Sequence, residues 1–177
     1  TIGNRDRRQS FRDAFAKDGY LPAAHDFAQY SVEIGGLRLI AVDTHDPQSR
    51  FGSFCAARAE DLTRLLAEGR GRPTLVFLHH PPVDLTPPIA PPLQYRDPDD
   101  ATLLVRIIAT APGVVGVIGG HVHRSRMASI GAVPLSTAPA VAADLNYEEL
   151  PERGGKRPVF HVHRITADGI ATASMVV

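Results

Sequence analysis

The sequence predicts an α/β fold with a mixed sheet or two packed sheets, on three observations. Strand and helix signals alternate as far as Ile118, and strand signals dominate beyond it. Two short, uninterrupted apolar runs, at 73–78 and 113–118, have the length and turn-flanked boundaries of strands buried on both faces. Each run ends in a polar cluster that carries histidines, and α/β folds bind ligands beyond the carboxyl ends of their strands.

The elements follow in chain order. Phe11, Ala14 and Phe15 stand at helical spacing in a segment from Arg7 to Lys17. Gln29 to Asp43 reads as a hairpin: Val32 and Ile34 alternate with polar residues, and Gly35-Gly36 supplies a positive-φ turn. Leu37, Leu39, Ala41 and Asp43 then continue the period of two. Ala57 to Glu68 is amphipathic, with Leu62, Leu65 and Leu66 inward and Gly69 as its stop. Seven of the 15 prolines lie between Pro81 and Pro98, which suits neither a ladder nor a helix interior, so a loop of fixed shape is expected there. Asp99 or Asp100 can cap a helix running to about Thr110, with Leu103, Val105, Ile107 and Ile108 available for its buried side. Further strands are expected at 159–165 and 170–176.

Composition narrows the function classes. The 177 residues fit one domain, and 44% apolar with 21% charged residues is globular rather than disordered. Nineteen basic residues balance 19 acidic ones, so no field recruits a nucleic acid polymer or a membrane surface. Cys55 is the only cysteine, which excludes an intrachain disulfide and a thiolate zinc cluster. No apolar run approaches the ~18 residues of a membrane span and no signal-peptide pattern opens the chain, so a soluble, cytoplasmic domain is expected.

Three polar clusters follow apolar segments: Gly3-Asn4-Arg5-Asp6, His79-His80-Pro81 and Gly120-His121-Val122-His123. Neutral imidazoles with amide or carboxylate oxygens suit zinc, iron or manganese. In a strict strand His121 and His123 would point the same way, whereas a tight bend would aim them at neighbouring metal positions. Taken singly, each cluster also reads as a turn, a corner or surface histidine; their conjunction is what points to a shared metal centre.

The order of these clusters resembles the calcineurin-like metallophosphoesterase superfamily, whose blocks run D-x-H, G-D-x-x-D, G-N-H-D, H-x-P and G-H-x-H. The last three correspond to the clusters above. Similarity is greater to bacterial class III cyclic-nucleotide phosphodiesterases and related glycerophosphodiesterases, through "LVFLHHPP", "GGHVHR", Val42-Asp43-Thr44 and "PVFHVHR". The resemblance implies an αββα sandwich of two packed mixed sheets, with residues 1–177 as the C-terminal portion of a single metallophosphoesterase domain whose N-terminal part is missing. It implies two divalent or trivalent transition metals (Mn, Fe or Zn) in the complete enzyme. Asn4, His79 and His121 would then ligate the second metal and His123 the first, and a metal-held hydroxide would attack a small phosphodiester, a cyclic nucleotide or glycerophosphodiester.

The departures carry expectations of their own. The D-x-H and G-D-x-x-D blocks are absent, so this chain alone is expected to lack the complete two-metal centre. Arg5 stands where the family has histidine. A guanidinium can stabilise phosphoryl charge but keeps its proton, so Arg5 is read as a catalytic charge stabiliser and not as an acid. The loop from Val83 to Asp97 would wall the substrate pocket. His80 either orients substrate or is structural. His161 and His163 read as ordinary strand residues, His25 and His45 as solvated loop residues, Cys55 as inert, and Arg7, Arg8 and Arg12 as a solvated helix face. Two alternatives stand beside the hydrolase reading. One is a non-catalytic metal-binding or interaction half-domain; the other is a phosphomonoesterase or nucleotide pyrophosphatase on the same fold. A homodimer or higher homo-oligomer is left open.

Overall fold

The computed structural model describes residues 1–22, 27–69, 72–86, 88, 94–142, 158–166 and 169–176. Helix α1 (Arg8–Phe15) runs into a single 3-10 turn closed by Gly19 at φ 75°. Strands β1 (Tyr30–Ile34) and β2 (Leu37–Ala41) pair antiparallel through Gly35 and Gly36, at φ 58° and 83°, the two positive values a two-residue hairpin turn requires. Helix α2 (Ala56–Glu68), strand β3 (Thr74–Phe77), helix α3 (Pro98–Thr110) and strand β4 (Val114–Gly119) follow as two crossover units. Strands β5 (Arg126–Ile130) and β6 (Val133–Thr137) form a second hairpin, and β7 (Val159–Thr166) with β8 (Gly169–Val176) a third.

The main sheet has the order β1-β2-β3-β4-β6-β5. Its four central strands are parallel, and each edge strand is antiparallel to its neighbour. Side-chain alternation assigns its two faces. Val76, Val117 and Leu135 pack with Leu62, Leu65, Leu104 and Ile108 of the helices. On the opposite face Leu75 and Gly116 meet Ile170 of the β7–β8 hairpin, and a Cβ at Gly116 would lie 3.1 Å from Ile170 Cγ2. Helices, mixed sheet and a second sheet layer make the α/β sandwich that the sequence predicts, consistent with the calcineurin-like phosphoesterase fold.

Some local details differ from expectation. The cap of α3 is Asp97, whose carboxylate accepts from Asp99 N at 2.9 Å ahead of Pro98 in the first turn. Asp100 instead accepts from Phe54 N at 2.7 Å and ties the helix to the preceding loop. In β2 the buried positions are Arg38, Ile40 and Ala41, with Leu37 and Leu39 only partly buried, because Arg38 turns inward to meet Glu68 and Glu33. None of the residues of α1 is buried; the helix is held by its arginines.

Candidate metal centre

Strands β3 and β4 stop side by side, and hydrogen bonds beyond their ends keep the two segments aligned. Leu78 N donates to Ile118 O and Gly120 N to His79 O, both at 3.0 Å, which sets His79 against His121. At that point β4 breaks. His121 and His123 have φ 67° and 55°, and Val122 N donates to Gly120 O at 2.7 Å across a three-residue turn. Left-handed backbone at two non-glycine residues is strained and clusters at functional sites. The H-x-H segment is therefore a bend and not a strand.

Asn4 comes from the N-terminal loop. That loop is fixed by Thr1 Oγ1 donating to Val42 O at 3.0 Å and by a reciprocal pair, Gly3 N to Asp6 Oδ2 and Asp6 N to Gly3 O. Asn4 Oδ1 lies 2.9 Å from His79 Nε2, and His79 Nε2 lies 3.2 Å from His121 Nδ1. The partners are 75 and 42 residues apart in sequence. Close backbone approach makes this contact feasible: a Cβ on Gly3 would lie 2.7 Å from His79 Cε1, and one on Gly120 3.3 Å from His79 Nδ1.

His79, His80 and His121 bring ring nitrogens within 4.8 Å of one another, a cluster able to hold at least one metal ion. The role of His80 within it is distinct, because both its nitrogens are engaged. Its Nε2 faces Arg50 O at 3.0 Å and must donate, since a carbonyl only accepts. Its Nδ1 is then an acceptor for the Thr44 hydroxyl at 2.9 Å, and Thr44 Oγ1 in turn accepts from His80 N at 3.2 Å. Tyr95 OH donates to His80 O at 3.0 Å. His80 is fully buried and stacks edge-on against His79 at 4.7 Å. It fixes the place of its neighbour's ring.

The electrostatics favour neutral rings. Burial, with the proximity of His121 next in weight, pushes His79 down to about 4; burial, then His123, does the same for His121. His80 falls further, through burial and the charge of His79. Neutral imidazoles are the form that ligates metals. His123 is half-buried and near enough for its charge to act on both His79 and His121. Arg5 is exposed at the turn beside Asn4.

A second layer lies beneath the cluster, and the sequence reading missed it. Asp43, fully buried, accepts from Arg8 at 2.6 and 3.1 Å, from Ala28 N at 2.8 Å and from His45 N at 2.9 Å. Burial alone would raise its carboxyl, but the hydrogen bond and charge of Arg8 offset this and hold it below the ordinary value. Arg8 and Arg58 also both donate to His45 O, so His45 is buried rather than solvated. Arg8 and Arg12 are likewise not a solvated face, since Arg12 donates to Pro22 O at 2.7 Å; Arg7 is exposed as expected. Cys55 is exposed. His161 and His163 lie on β7, beside Ser125 at 2.7 Å and Thr172 at 2.9 Å respectively. His25 and part of the loop from Val83 to Asp97 (residues 87 and 89–93) lie outside the described residues. No helix among the described residues is long and apolar enough to cross a membrane.

No family model matches the chain. Among curated proteins it is 28% identical over 159 residues to a probable cyclic nucleotide phosphodiesterase of Rhodococcus erythropolis, covering 86% of this chain and 49% of that protein. It is 30% identical over 139 residues to a cAMP/cGMP dual specificity phosphodiesterase of Mycobacterium tuberculosis, covering 78% of this chain and 42% of that one. The chain thus spans less than half the length of these relatives. Its fold matches the crystal structure of a dimetal phosphatase from Danio rerio with a TM-score of 0.63 at 13% identity, over 96% of this chain and 69% of that one. With the fold, the histidine cluster and these relatives in agreement, the chain belongs to the calcineurin-like metallophosphoesterase superfamily, related to bacterial cyclic-nucleotide and glycerophosphodiesterase-like enzymes.

Proposed function

We propose that this chain carries one half of a two-metal site that hydrolyses a small phosphodiester, of the cyclic nucleotide or glycerophosphodiester kind. The observation that carries the reading is the run of Asn4 Oδ1, His79 Nε2 and His121 Nδ1 at successive spacings of 2.9 and 3.2 Å. Neighbouring ligands about 2.1 Å from a metal are themselves roughly 3–3.4 Å apart, so these three donors already have the separations of a coordination shell. All three are neutral, and two are imidazoles that burial keeps unprotonated. The residues fit a manganese, iron or zinc ion.

Asn4, His79 and His121 would hold that ion, with His123 on the same bend turned to a neighbouring one. A pair of such ions supplies Lewis acidity and a nucleophilic oxygen at neutral pH. The protein's own residues bind and orient the ester. Arg5, charged at every working pH, would bind the non-bridging oxygens and meet the charge that grows on them in the transition state. It cannot deliver a proton to the leaving oxygen. His80, sealed between Thr44 and Arg50, keeps His79 in place and takes no part in proton transfer.

The test is hydrolysis of bis-p-nitrophenyl phosphate by the full-length protein with added manganese. His121→Ala is expected to lose at least ~100-fold in kcat/KM as a metal ligand disappears, against less than threefold for His161→Ala. Equal losses for the two variants would show that the wrong histidines have been chosen.

A further inference from the structure

Where two sheets pack face to face, the space between them is ordinarily filled by interdigitating apolar side chains. Here that holds where Ile170 of the β7–β8 hairpin meets Gly116 of the main sheet. Beside this contact, between the β5–β6 hairpin and the inner face of β7–β8, the layers leave a cavity of about 330 Å³. Five of its lining residues carry hydroxyls, among them Ser125, Ser136 and Thr172. Arg126 also lines it, and no described aspartate, glutamate or lysine does. Hydroxyls gathered between two sheets do not make a core; they make a polar chamber.

Ser136 is what marks the chamber as a site. Its neighbour Leu135 packs with the helices, so strand alternation turns the Ser136 side chain to the hairpin layer and the cavity. It is 4% exposed, and its hydroxyl has no hydrogen-bond partner among the described residues. A buried hydroxyl in that state is costly unless a molecule from outside the chain completes it. A positive charge stands close by. Met127 pairs directly across from Ser136, which places Arg126 one residue away. Arg126 Nη1 donates to Ser125 O at 2.6 Å and so holds the guanidinium at this wall, while Ser125 Oγ lies 2.7 Å from His161 Nε2 on the hairpin. The start of β5 is fixed in turn, since Arg126 N donates to Thr137 Oγ1 and that hydroxyl donates to Arg124 O.

We propose that this cavity binds a small carboxylate with a short apolar body. One guanidinium, several hydroxyls and no acidic side chain in the described lining suit a single negative charge spread over oxygen acceptors. Ile170 and Met127 give the apolar body a surface to lie on. A phosphate dianion would call for a second permanent cation, and the described lining has one. None of Asn4, His79, His121 or His123 is among the described lining residues, so the inference does not depend on the hydrolase reading.

Butyrate is the probe, and butyramide, of the same shape without the charge, is its control. Nitrogen-15 amide spectra of the full-length protein with zinc present should show saturable shifts at Ser136 and Thr172 as butyrate is added. Gly120 and His121 report anything bound at the histidine cluster instead. Butyramide should bind at least ~10-fold more weakly than butyrate, and butyrate should bind Arg126→Gln at least ~10-fold more weakly than the parent, because each change removes a charge-assisted hydrogen bond. Ser136→Ala should weaken butyrate binding about three- to tenfold, with the remaining amide shifts as in the parent. It decides the question if Arg126→Gln does not fold. Saturation that moves only Gly120 and His121, or no saturation at all, overturns the proposal. So do equal affinity for butyramide, a Ser136→Ala variant that binds butyrate as the parent does, and shifts at Ser136 and Thr172 with inorganic phosphate but not with butyrate.

Discussion

Replacing Thr44 by valine tests how the centre is supported. The two side chains are nearly the same shape, so the substitution removes a hydroxyl and leaves the packing. That hydroxyl accepts from His80 N at 3.2 Å and donates to His80 Nδ1 at 2.9 Å, and both residues are fully buried. Water cannot replace it, so two polar groups of His80 lose their partner, each at about 1–3 kcal/mol. A loss of about 2–6 kcal/mol is expected, or roughly 4–24 °C in Tm for a chain of this length. Thr44→Ser keeps the hydroxyl and removes one methyl group, for about 1 kcal/mol. Urea denaturation of the metal-free proteins at unchanged m-value separates the two. Manganese affinity should fall further in Thr44→Val than in Thr44→Ser, because the His79 ring rests edge-on against His80. If valine proves no more destabilising than serine, His80 is not held by this pair and its positioning role is wrong.

Stability of the metal-free protein should be flat above pH 6.5 and fall as pH drops towards 4. The unfolded chain takes up protons at His79 and His121 below 6.5 that the folded state refuses until about 4. After solvent screening the loss is about 1–2 kcal/mol per ring, read from denaturation midpoints across that window; stability that rises on acidification would reverse the argument. His121→Gly should relieve left-handed strain at φ 67° and leave the metal-free fold unchanged or about 1 kcal/mol more stable, while abolishing tight metal binding by calorimetry. Gly3→Ala should weaken manganese binding at least ~10-fold, because its new methyl group meets the His79 ring at 2.7 Å and that ring is braced from behind; unchanged affinity would mean that the loop yields.

The sequence made the buried strands legible because β3 and β4 are covered on both faces, which leaves continuous apolar runs. It exposed the three polar clusters because each follows such a segment. Three things were out of reach for physical reasons. Positive φ at His121 and His123 leaves no compositional trace, since only glycine and asparagine advertise it. His45 has polar neighbours and so reads as solvated; its burial comes from Arg8 and Arg58, 37 and 13 residues away, folding onto one carbonyl. Arg8 was misread for the same reason, since its partner Asp43 is 35 residues distant. The cap of α3 had a usable local signal, an aspartate directly before a proline in the first turn, and Asp97-Pro98 supplies it.

The sequence separations of 75 and 42 residues between Asn4, His79 and His121 bear on how the centre comes into being. No local segment supplies two of these three donors, unlike a finger-type site whose ligands sit a few residues apart. A metal ion therefore has nothing to template in an unfolded chain, and chain closure over such distances precedes any gain from coordination. Once the parallel strands have aligned, an ion held as proposed would bind only that state and would add to the stability of every element the alignment depends on. Metal affinity measured during refolding would thus follow completion of the sheet, and the chelator-induced drop in melting temperature would extend to β1, which touches no ligand.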